Sequence, residues 1–343
     1  MASINIALDA MGGDDAPASA VLGALDALGE KKDFSVTLVG CERAIAKELS
    51  HAKSFTNSRL KIRHASEVIF TDETPTKAVR EKKDSSMVVA LSMVKEGSAG
   101  AIVSAGSTGA LLTGGLLVIG RVRGILRPAF GVMIPSIKKE SFGHTFLIDA
   151  GANMDSKPEF LAQFAKLGNV YVESLFGMSA PRVGLLNVGV EAEKGSALVK
   201  EANPLLADCG VNYIGYVEAR DISLGDIDVA VCDGFVGNIV LKHSEGFAKA
   251  MGEAIKREMM ASVSTKIAGL LSKKVFRNVR ANFSASEIGG APFLGLKGLV
   301  VKAHGNSDRV AFKNAILMAV RYAQTGVQEK ILELGATSEH LTD

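Results

Sequence analysis

The stretch GAIVSAGSTGALLTGGLLV at residues 100–118 contains no charged side chain and decides between two kinds of fold. A membrane span is one interpretation, because about 20 apolar residues suffice to cross a bilayer. The glycines and hydroxyl groups of residues 106–109, GSTG, interrupt the apolar run, however. A buried strand, a tight turn and a helix fit this interruption better. The stretch therefore predicts a strand–turn–helix unit of an α/β protein.

Apolar runs of strand length alternate with helical periodicity along the whole chain. The runs are residues 4–8, 36–39, 60–62, 101–103, 145–148, 183–186, 211–214, 229–231 and 299–301. Helical periodicity covers about 16–29, 41–50, 75–95, 107–122, 158–176, 195–208, 236–260 and 308–334. Several runs lack alternating polar residues, which is typical of parallel strands covered by helices on both faces. The sequence predicts a three-layer α/β/α sandwich with a largely parallel sheet, as a single domain over residues 1–343.

The composition is that of a globular protein with a large core and little overall charge. Of the 343 residues 47% are hydrophobic, and 39 basic against 37 acidic residues leave a net charge of +2. This balance excludes a nucleic-acid coat protein and a disordered charged tail. The three cysteines, Cys41, Cys209 and Cys232, have no paired spacing, so no disulfide framework and no metal site are expected. A reducing cytoplasm fits, and the start MASINIALDAMGG lacks the cationic segment of a signal peptide.

Residues 247–283 depart from the strand–helix rhythm and read as two consecutive long helices. Each helix carries an apolar stripe, and the region is basic, so it predicts an amphipathic helical hairpin that projects from the body. Its basic residues are Lys249, Lys256, Arg257, Lys266, Lys273, Lys274, Arg277 and Arg280, against Glu253 and Glu258. Two interpretations stay open. In the first, the apolar stripes pack into the body or into a dimer interface. In the second, the basic face binds an acidic protein or an anionic membrane.

Polar, glycine-containing turns follow six of the predicted strands. They are DAMGGDDAP (9–17), SAGSTGA (104–110), DAGANMDSKPE (149–159), NVGVEAEKGS (187–196), CDGFVGNIVLK (232–242) and AHGNSD (303–308). In a parallel sheet, ligands gather at the carboxyl ends of the strands. Glycine lets the backbone approach a ligand, and amides at a helix start attract anions. Together the turns predict one polar cleft for an anion and an amide-rich substrate, although helix capping would explain any one of them.

Familiar signatures of other enzyme classes do not occur in this sequence. The turn SAGSTGA lacks the Lys-Ser/Thr of a Walker loop, and no GxGxxG opens the first βαβ unit. Neither HExxH nor GxSxG is found, so the sequence indicates neither a metalloprotease nor a serine hydrolase. No cofactor is expected.

The ordered motifs DAMGGD, TPTKAVREKKDSSM, VSAGSTGALLT, IDAGAN, GLLNVGVEAEKGS, VCDGFVGNIVLK and KAHGNSD resemble those of the bacterial phosphate acyltransferase family. The resemblance runs from about residue 4 to 325. It implies a fold related to phosphotransacetylase and to isocitrate and isopropylmalate dehydrogenases. One departure is visible, since family members often carry His after MGGD where this chain has Asp15. A mechanism that needs an imidazole at that turn is therefore not expected for this chain.

Transfer of a fatty acyl group from acyl carrier protein to inorganic phosphate is the activity that the resemblance implies. The product, an acyl phosphate, would feed glycerol-3-phosphate acylation in phospholipid synthesis. The resemblance also implies a cytoplasmic homodimer that rests on the inner membrane face, and contact with the glycerol-3-phosphate acyltransferase that uses the acyl phosphate.

Direct attack of phosphate on the thioester is the expected mechanism, because neither phosphate nor a pantetheine thiol needs a strong base or acid to react. Lys194 is expected to stabilise the oxyanion and Asn238 to donate a hydrogen bond, although a surface lysine and a helix cap are the alternatives. The substrate-binding candidates are Ser107, Thr108, Gly109, Asn153, Asn187, Glu191, Asp233 and His304. Cys232 is expected to be buried and inert.

The downstream helical hairpin supplies the candidate contacts to larger partners. Carrier-protein contact is predicted for Lys273, Lys274, Arg277 and Arg280, and membrane contact for Leu270, Leu271, Val275 and Phe276. Arg80, Lys82 and Lys83 read instead as a solvated helix face. The rival functions are an acyl-CoA-dependent phosphotransacetylase, a nicotinamide-dependent decarboxylating dehydrogenase and a non-catalytic membrane scaffold.

Overall fold

The computed structural model describes residues 4–52, 58–138, 143–283 and 289–339. The chain divides into two compact units. Unit 1 comprises Met1–Gly131, Asn169–Ser179 and Ile288–Asp343, and unit 2 comprises Val132–Gly168 and Ala180–Glu287. The prediction of a single domain stays a prediction.

The secondary structure alternates strands and helices as expected. The strands are β1 (Ile4–Asp9), β2 (Phe34–Gly40), β3 (Leu60–His64), β4 (Ala101–Ser104), β5 (Ala129–Pro135), β6 (His144–Ile148), β7 (Val183–Leu186), β8 (Tyr213–Val217), β9 (Val229–Val231), β10 (Ala291–Leu294) and β11 (Leu299–Lys302). The helices are α1 (Ala18–Glu30), α2 (Glu42–His51), α3 (Pro75–Glu81), α4 (Ser86–Lys95), α5 (Thr108–Gly114), α6 (Pro158–Phe176), α7 (Ala197–Ala207), α8 (Ala219–Leu224), α9 (Gly234–Met259), α10 (Val263–Leu271), α11 (Lys273–Phe283), α12 (Arg309–Gln324) and α13 (Val327–Glu339).

Unit 1 contains the strand order β3-β2-β1-β4-β11-β10 and the first residues of β5, which continues past Gly131 into unit 2. All neighbours are parallel except β10, which runs antiparallel to both β11 and β5. Residues Ile6 to Asp9 of β1 are all buried, so both faces of the strand are covered. Helices α4 and α12 each pack on β1 and β4. The predicted layered α/β architecture is confirmed.

Unit 2 contains the fully parallel strand order β6-β9-β7-β8. Every residue of β7 and β9 is buried, which again indicates cover on both faces. At the amino end of β7, the guanidinium of Arg182 donates to the buried carboxylate of Asp228 at 2.9 Å and 3.0 Å. The backbone amide of Arg182 donates to the same carboxylate at 2.8 Å, so this ion pair ties β7 to the start of β9.

The stretch at 100–118 forms the predicted strand, turn and helix. It contains β4, the turn 105–107 and α5, and a π-helical turn from Gly115 to Ile119 continues the helix. None of the helices in the described part of the chain is long and apolar enough to cross a membrane.

Several predicted boundaries are corrected by the structure. The helix predicted over 75–95 is two helices, because Ser85 begins α4 as an N-cap that accepts from the Val88 amide at 3.4 Å. The helix predicted over 308–334 is divided between α12 and α13, and the strand predicted over 211–214 begins at Tyr213. Strands β5 and β10 and helix α8 were not predicted. β10 contains Pro292, which lacks the amide that a strand normally donates.

The predicted hairpin over 247–283 contains three helices. The second helical pattern breaks at Ser272, between α10 and α11, while α10 packs back on α9. The apolar stripes are exposed, and Phe247, Val263 and Leu271 are 58%, 76% and 81% accessible. The interpretation that these stripes pack into the body of the chain is therefore wrong.

Candidate active site

The six polar turns divide equally between the two units. In unit 1 they follow β1, β4 and β11, which are neighbours in the sheet, and in unit 2 they follow β6, β9 and β7, also neighbours. Ile148, Val231 and Leu185 are paired in register, so the chain leaves these three strands of unit 2 at the same edge. That all six turns line one cleft stays a prediction.

The turn after β7 holds Lys194 in a defined conformation. Its ammonium group donates to Oε1 of Glu191 at 2.7 Å, and its backbone amide donates to the Glu191 carbonyl at 3.1 Å. Both side chains are 47% accessible. The hydrogen bond from Lys194 lowers the pKa of the Glu191 carboxyl below its usual value. The pair presents a cation, held by its own turn, to solvent at the carboxyl end of the strand.

Asn187 closes this turn from its other end. Its side-chain amide donates to the Lys194 carbonyl at 3.2 Å, and its backbone amide donates to Val217 of the neighbouring strand at 2.8 Å. Gly195 has a φ of +101°, and a Cβ there would lie 2.3 Å from Oδ1 of Asn187. Glycine is therefore required at 195, since both the backbone conformation and the space exclude a side chain. Asn187 shapes the Lys194 turn as well as lying in it.

The turn after β6 is organised by the buried carboxylate of Asp149. This carboxylate accepts hydrogen bonds from the amides of Gly151, Ala152 and Asn153 at 3.2, 2.9 and 2.7 Å. The side-chain amide of Asn153 donates to it at 2.8 Å. The Asn153 side chain therefore supports its own turn, which also accounts for Asp149 at the end of an apolar run.

The turn after β9 contains Asp233 and Asn238. Asp233 caps α9 by accepting from the amides of Phe235 and Val236, each at 2.9 Å, which is the capping role that was its alternative. Asn238 lies in the first turns of α9, and its Oδ1 is 3.5 Å from the position of a Cβ on Gly151. Gly151 has a φ of +135°, which favours glycine, and it lies beside the Asn238 side chain, so the Asp149 turn and the first turns of α9 adjoin here.

Cys232 lies directly below these turns and is 3% accessible. Its thiol donates to the Asp149 carbonyl at 3.5 Å. Burial, reinforced by the nearby Asp149 and Asp233 carboxylates, raises the pKa of this thiol well above its usual value. A thiol of this kind stays protonated at neutral pH and is a poor nucleophile. The geometry agrees with an inert, buried cysteine.

In unit 1, a buried polar network lies beneath the turn that follows β4. Asp9, Ser104 and Lys302 end three neighbouring strands in paired register. The Ser104 hydroxyl donates to Asp9 Oδ2 at 2.6 Å and accepts from the Gly106 amide at 3.1 Å. Burial raises the pKa of the Asp9 carboxyl, and hydrogen bonds from Ser104 and Ser86 together with the Lys302 charge partly oppose this. Asp9 and Ser104 begin two of the six predicted polar turns, but the Ser104 hydroxyl is buried and bonded to Asp9 and so does not face an anion; Lys302 was not predicted.

The predicted anion-binding residues lie on the exposed side of this network. Ser107 is the N-cap of α5 and accepts from the Ala110 amide at 3.4 Å, while Thr108 and Gly109 begin the helix. The three residues are partly or fully exposed. His304 is exposed in the turn after β11, where its Nδ1 accepts from the Asn306 amide at 3.4 Å. The turn after β11 meets the turn after β1, since the Asp14 amide donates to Gly305 at 2.9 Å.

The predicted partner-binding residues lie on α10 and α11 in unit 2. Lys273, Lys274 and Arg277 are exposed, and the side chain of Arg280 lies outside the described residues. Of the candidate membrane contacts, Leu270 is 72% and Val275 is 61% accessible, Leu271 is also exposed, and Phe276 is half-buried.

The basic run at Arg80, Lys82 and Lys83 makes local contacts. Lys82 donates to the Glu73 carboxylate at 2.7 Å and to the Val68 carbonyl at 2.8 Å, and Lys83 donates to the Val79 carbonyl at 3.2 Å. Arg80 and Lys83 are exposed. Arg80 lies on α3, which ends at Glu81, whereas Lys82 and Lys83 lie in the turn before α4, so the prediction of a helix face is wrong for these two residues.

Comparison with known proteins supplies the family. The sequence profile of a family described as fatty acid synthesis protein matches residues 4–330. A phosphate acyltransferase from Clostridium botulinum (strain Loch Maree / Type A3) is 48% identical over 328 residues, which cover 96% of this chain and 95% of that protein. A phosphate acyltransferase from Clostridium tetani (strain Massachusetts / E88) is 46% identical over 330 residues, 96% of this chain and 97% of that protein.

The fold is shared with a more distant group. A phosphotransacetylase from Streptococcus pyogenes has a TM-score of 0.61 with 17% identity, and the match covers 94% of each chain. At this identity the likeness concerns the fold alone. It agrees with the expected relation to phosphotransacetylase.

Proposed function

The chain belongs to the phosphate acyltransferase family, whose members transfer an acyl group to phosphate, and we propose that it takes a fatty acyl group from acyl carrier protein. The product would be an acyl phosphate for phospholipid synthesis. The observation that carries the assignment of residues is the common edge of unit 2, where the turns with Lys194 and Asn238 follow the neighbouring strands β7 and β9.

The proposed reaction is a direct displacement without an acyl-enzyme. A phosphate oxygen forms a bond to the thioester carbonyl carbon, and the carbonyl oxygen takes up the negative charge of a tetrahedral intermediate. Collapse of that intermediate breaks the carbon–sulfur bond and releases the phosphopantetheine thiolate. Near neutral pH a substantial fraction of inorganic phosphate is the dianion, and a thiol with a pKa of about 8.5 is a good leaving group. The enzyme therefore has to position phosphate and stabilise the oxyanion.

Lys194 is proposed to stabilise the developing oxyanion. The contacts of its turn support this role, because Asn187 and Glu191 hold the lysine from two sides while its side chain stays half-exposed. A preorganised cation stabilises a transition-state charge without a reorganisation cost during the reaction. Glu191 is proposed to act on the substrate through Lys194, by keeping the ammonium group oriented during the reaction.

Asn238 is proposed to donate a hydrogen bond to the thioester oxygen or to the amide-rich pantetheine arm. Its position in the first turns of α9, beside Gly151 of the Asp149 turn, supports this role. Asn153, Asn187 and Asp233 are proposed to act on the substrate mainly by shaping the turns, since each already holds a turn or a helix end.

In unit 1, the turn from Ser107 to Gly109 is proposed to bind an anion, either free phosphate or the phosphate of phosphopantetheine. The buried Asp9–Ser104 network supports the role by holding the preceding backbone in place. His304 is a further proposed contact in the adjoining turn after β11.

The exposed α10–α11 region is proposed to serve the larger partners. Acyl carrier protein is acidic, so the exposed Lys273, Lys274 and Arg277, with Arg280, are suited to contact it. The apolar Leu270, Leu271, Val275 and Phe276 are proposed to dip into the inner membrane face, which would make the enzyme a peripheral cytoplasmic protein. A homodimer and transient contact with the acyl-phosphate-using glycerol-3-phosphate acyltransferase complete the proposal.

The test is an assay with acyl-acyl carrier protein and inorganic phosphate, in which hydroxylamine traps acyl phosphate as a hydroxamate. Hydroxamate that depends on both substrates is expected. A matched reaction with the same acyl group on coenzyme A gives the control. Turnover with coenzyme A and none with the carrier protein would identify an acyl-CoA-dependent phosphotransacetylase, and no hydroxamate from either donor would contradict the proposed function.

A further inference from the structure

We propose that an apolar rim around the turns of unit 2 binds the hydrocarbon chain of the acyl donor. The proposal rests on the proposed function, because it gives the substrate of that same site a second binding region. The rim consists of five exposed apolar side chains, Met154, Val188, Val190, Phe235 and Ile239.

Each member of the apolar rim lies within four residues of a candidate site residue. Met154 directly follows Asn153, and Phe235 and Ile239 lie three residues before and one residue after Asn238. Val188 directly follows Asn187, and Val190 precedes Glu191. The apolar rim therefore belongs to the same three turns as the polar candidate residues.

The strand register brings these turns together. β6, β9 and β7 are adjacent and leave the sheet at the same level, and neighbouring strands are separated by about 4.8 Å. The three turns consequently begin within about 10 Å of one another. Phe235 and Ile239 are four residues apart in α9 and lie on one face of that helix. The apolar side chains thus belong to the same edge of unit 2 as Lys194 and Asn238.

The exposure of these side chains is high for their size. Met154 is 50%, Val190 is 64% and Phe235 is 59% accessible. Solvent exposure of large apolar side chains in one place is unfavourable and typically marks a binding surface. Small-molecule sites combine mainly apolar lining with a few oriented polar groups, which is the combination found on these three turns.

A fatty acyl thioester has the matching chemistry. Its carbonyl and phosphate-bearing arm are polar. The rest of the acyl group is a hydrocarbon chain, and its binding becomes more favourable with each methylene removed from water. With the carbonyl at Lys194 and Asn238, the chain would leave the reaction centre across the apolar rim. Affinity for the donor should therefore increase with chain length, and the rim residues should determine that dependence.

The first experiment measures kcat/KM with hexadecanoyl and butanoyl thioesters of acyl carrier protein, and uses their ratio as the readout. Val190→Asn and Ile239→Asn are expected to lower the long-to-short ratio at least fivefold, because only the long chain reaches the rim. Leu205→Asn is the matched control, since Leu205 is an exposed apolar residue of unit 2 on α7, outside the three turns. The long-to-short ratio of Leu205→Asn should equal that of the wild type.

The second experiment uses the lack of tryptophan in the chain. Phe235→Trp introduces a single fluorescent reporter into the rim, and Leu205→Trp is its control. Addition of the hexadecanoyl donor without phosphate should shift the emission of Phe235→Trp to shorter wavelength, as expected for burial against a hydrocarbon chain. The butanoyl donor should produce a smaller shift, and Leu205→Trp should not respond.

Failure of the rim proposal can be told apart from failure of the proposed function. An unchanged long-to-short ratio in both asparagine variants of an active enzyme would overturn the rim proposal alone. The same holds if those variants change the oligomeric state and leave the ratio unchanged, which would assign the surface to a second copy of the chain. Inactivity of the wild type with both donors would instead contradict the proposed function.

Discussion

The Ser104 hydroxyl donates a 2.6 Å hydrogen bond to the Asp9 carboxyl, and both side chains are almost completely buried. The two residues end the neighbouring strands β1 and β4, and the same hydroxyl accepts the Gly106 amide. The contact therefore fixes the start of the turn proposed to bind an anion. Burial of this carboxyl should also make the free energy of unfolding depend on pH, which can be measured.

The stability contribution of Asp9 should decrease as pH rises. Burial raises the pKa of Asp9 in the folded state above its unfolded value of about 3.9, so the unfolded chain releases this proton first. Between the two pKa values the folded state binds more protons, and the free energy of unfolding falls with pH. Urea unfolding of the wild type and Asp9→Asn across the acid range should show a wild-type advantage that shrinks as pH increases.

Asp26→Asn is the matched control for this pH dependence. The Arg309 guanidinium binds the Asp26 carboxylate and lowers its pKa in the folded state. Its stabilising contribution is therefore present above the unfolded pKa and lost as pH falls. The difference in free energy of unfolding between the wild type and Asp9→Asn should fall with pH, and the difference for Asp26→Asn should rise with pH. Equal slopes would contradict the assignment of a raised pKa to Asp9.

Lys194→Ala should lower acyl-phosphate formation at least tenfold. The substitution removes the cation proposed to stabilise the oxyanion, and a tenfold loss corresponds to about 1.4 kcal/mol of transition-state stabilisation. The hydroxamate assay measures the rate, and circular dichroism checks the fold. Lys200→Ala, on the exposed surface of α7, should keep the wild-type rate. Near-normal turnover of Lys194→Ala would remove this residue from the mechanism.

Cys232→Ala should retain activity. The thiol is buried and its pKa is raised by burial and by two neighbouring carboxylates, so it does not supply a thiolate for an acyl-enzyme. Incubation of the native protein with iodoacetamide should likewise leave Cys232 unmodified, as peptide mass spectrometry would show. A folded but inactive Cys232→Ala protein would revive a covalent mechanism.

Charge reversal on α11 should weaken use of the carrier protein. Lys273→Glu combined with Arg277→Glu replaces two exposed cations, so an acidic partner should bind less well and KM for acyl-acyl carrier protein should rise at least threefold at low salt. Glu258→Lys provides a control on exposed charge in α9. An unaltered KM in the double variant would refute this contact.

Leu271→Glu should weaken binding to vesicles of anionic phospholipid. Leu271 is 81% accessible, and insertion of its side chain into the acyl region would contribute free energy that a carboxylate removes. Liposome flotation measures the bound fraction, with Leu205→Glu as the control. Equal flotation of both variants and the wild type would count against insertion at this position.

Much of the fold followed from local patterns in the sequence. The uncharged stretch 100–118 predicted β4 and α5, because the side-chain periods of a strand and of a helix differ enough to be distinguished within a few residues. β10 was not predicted, because a four-residue strand that contains a proline has a weak local pattern. It is stabilised by antiparallel pairing with β11 and β5. The break at Ser272 was missed for a related reason, because the apolar spacing continues across it.

Local sequence patterns are enough to identify the family, the order of strands and helices and the six polar turns, because each depends on residues close together in the chain. The roles of the polar residues in those turns depend on the tertiary structure. It paired Asp9 with Ser104 across 95 positions, assigned Asp233 to a helix cap, and left Lys194 half-exposed beside Glu191. These outcomes depend on strand order and register, since a buried polar group must find its hydrogen-bond partner among whatever residues the sheet places beside it.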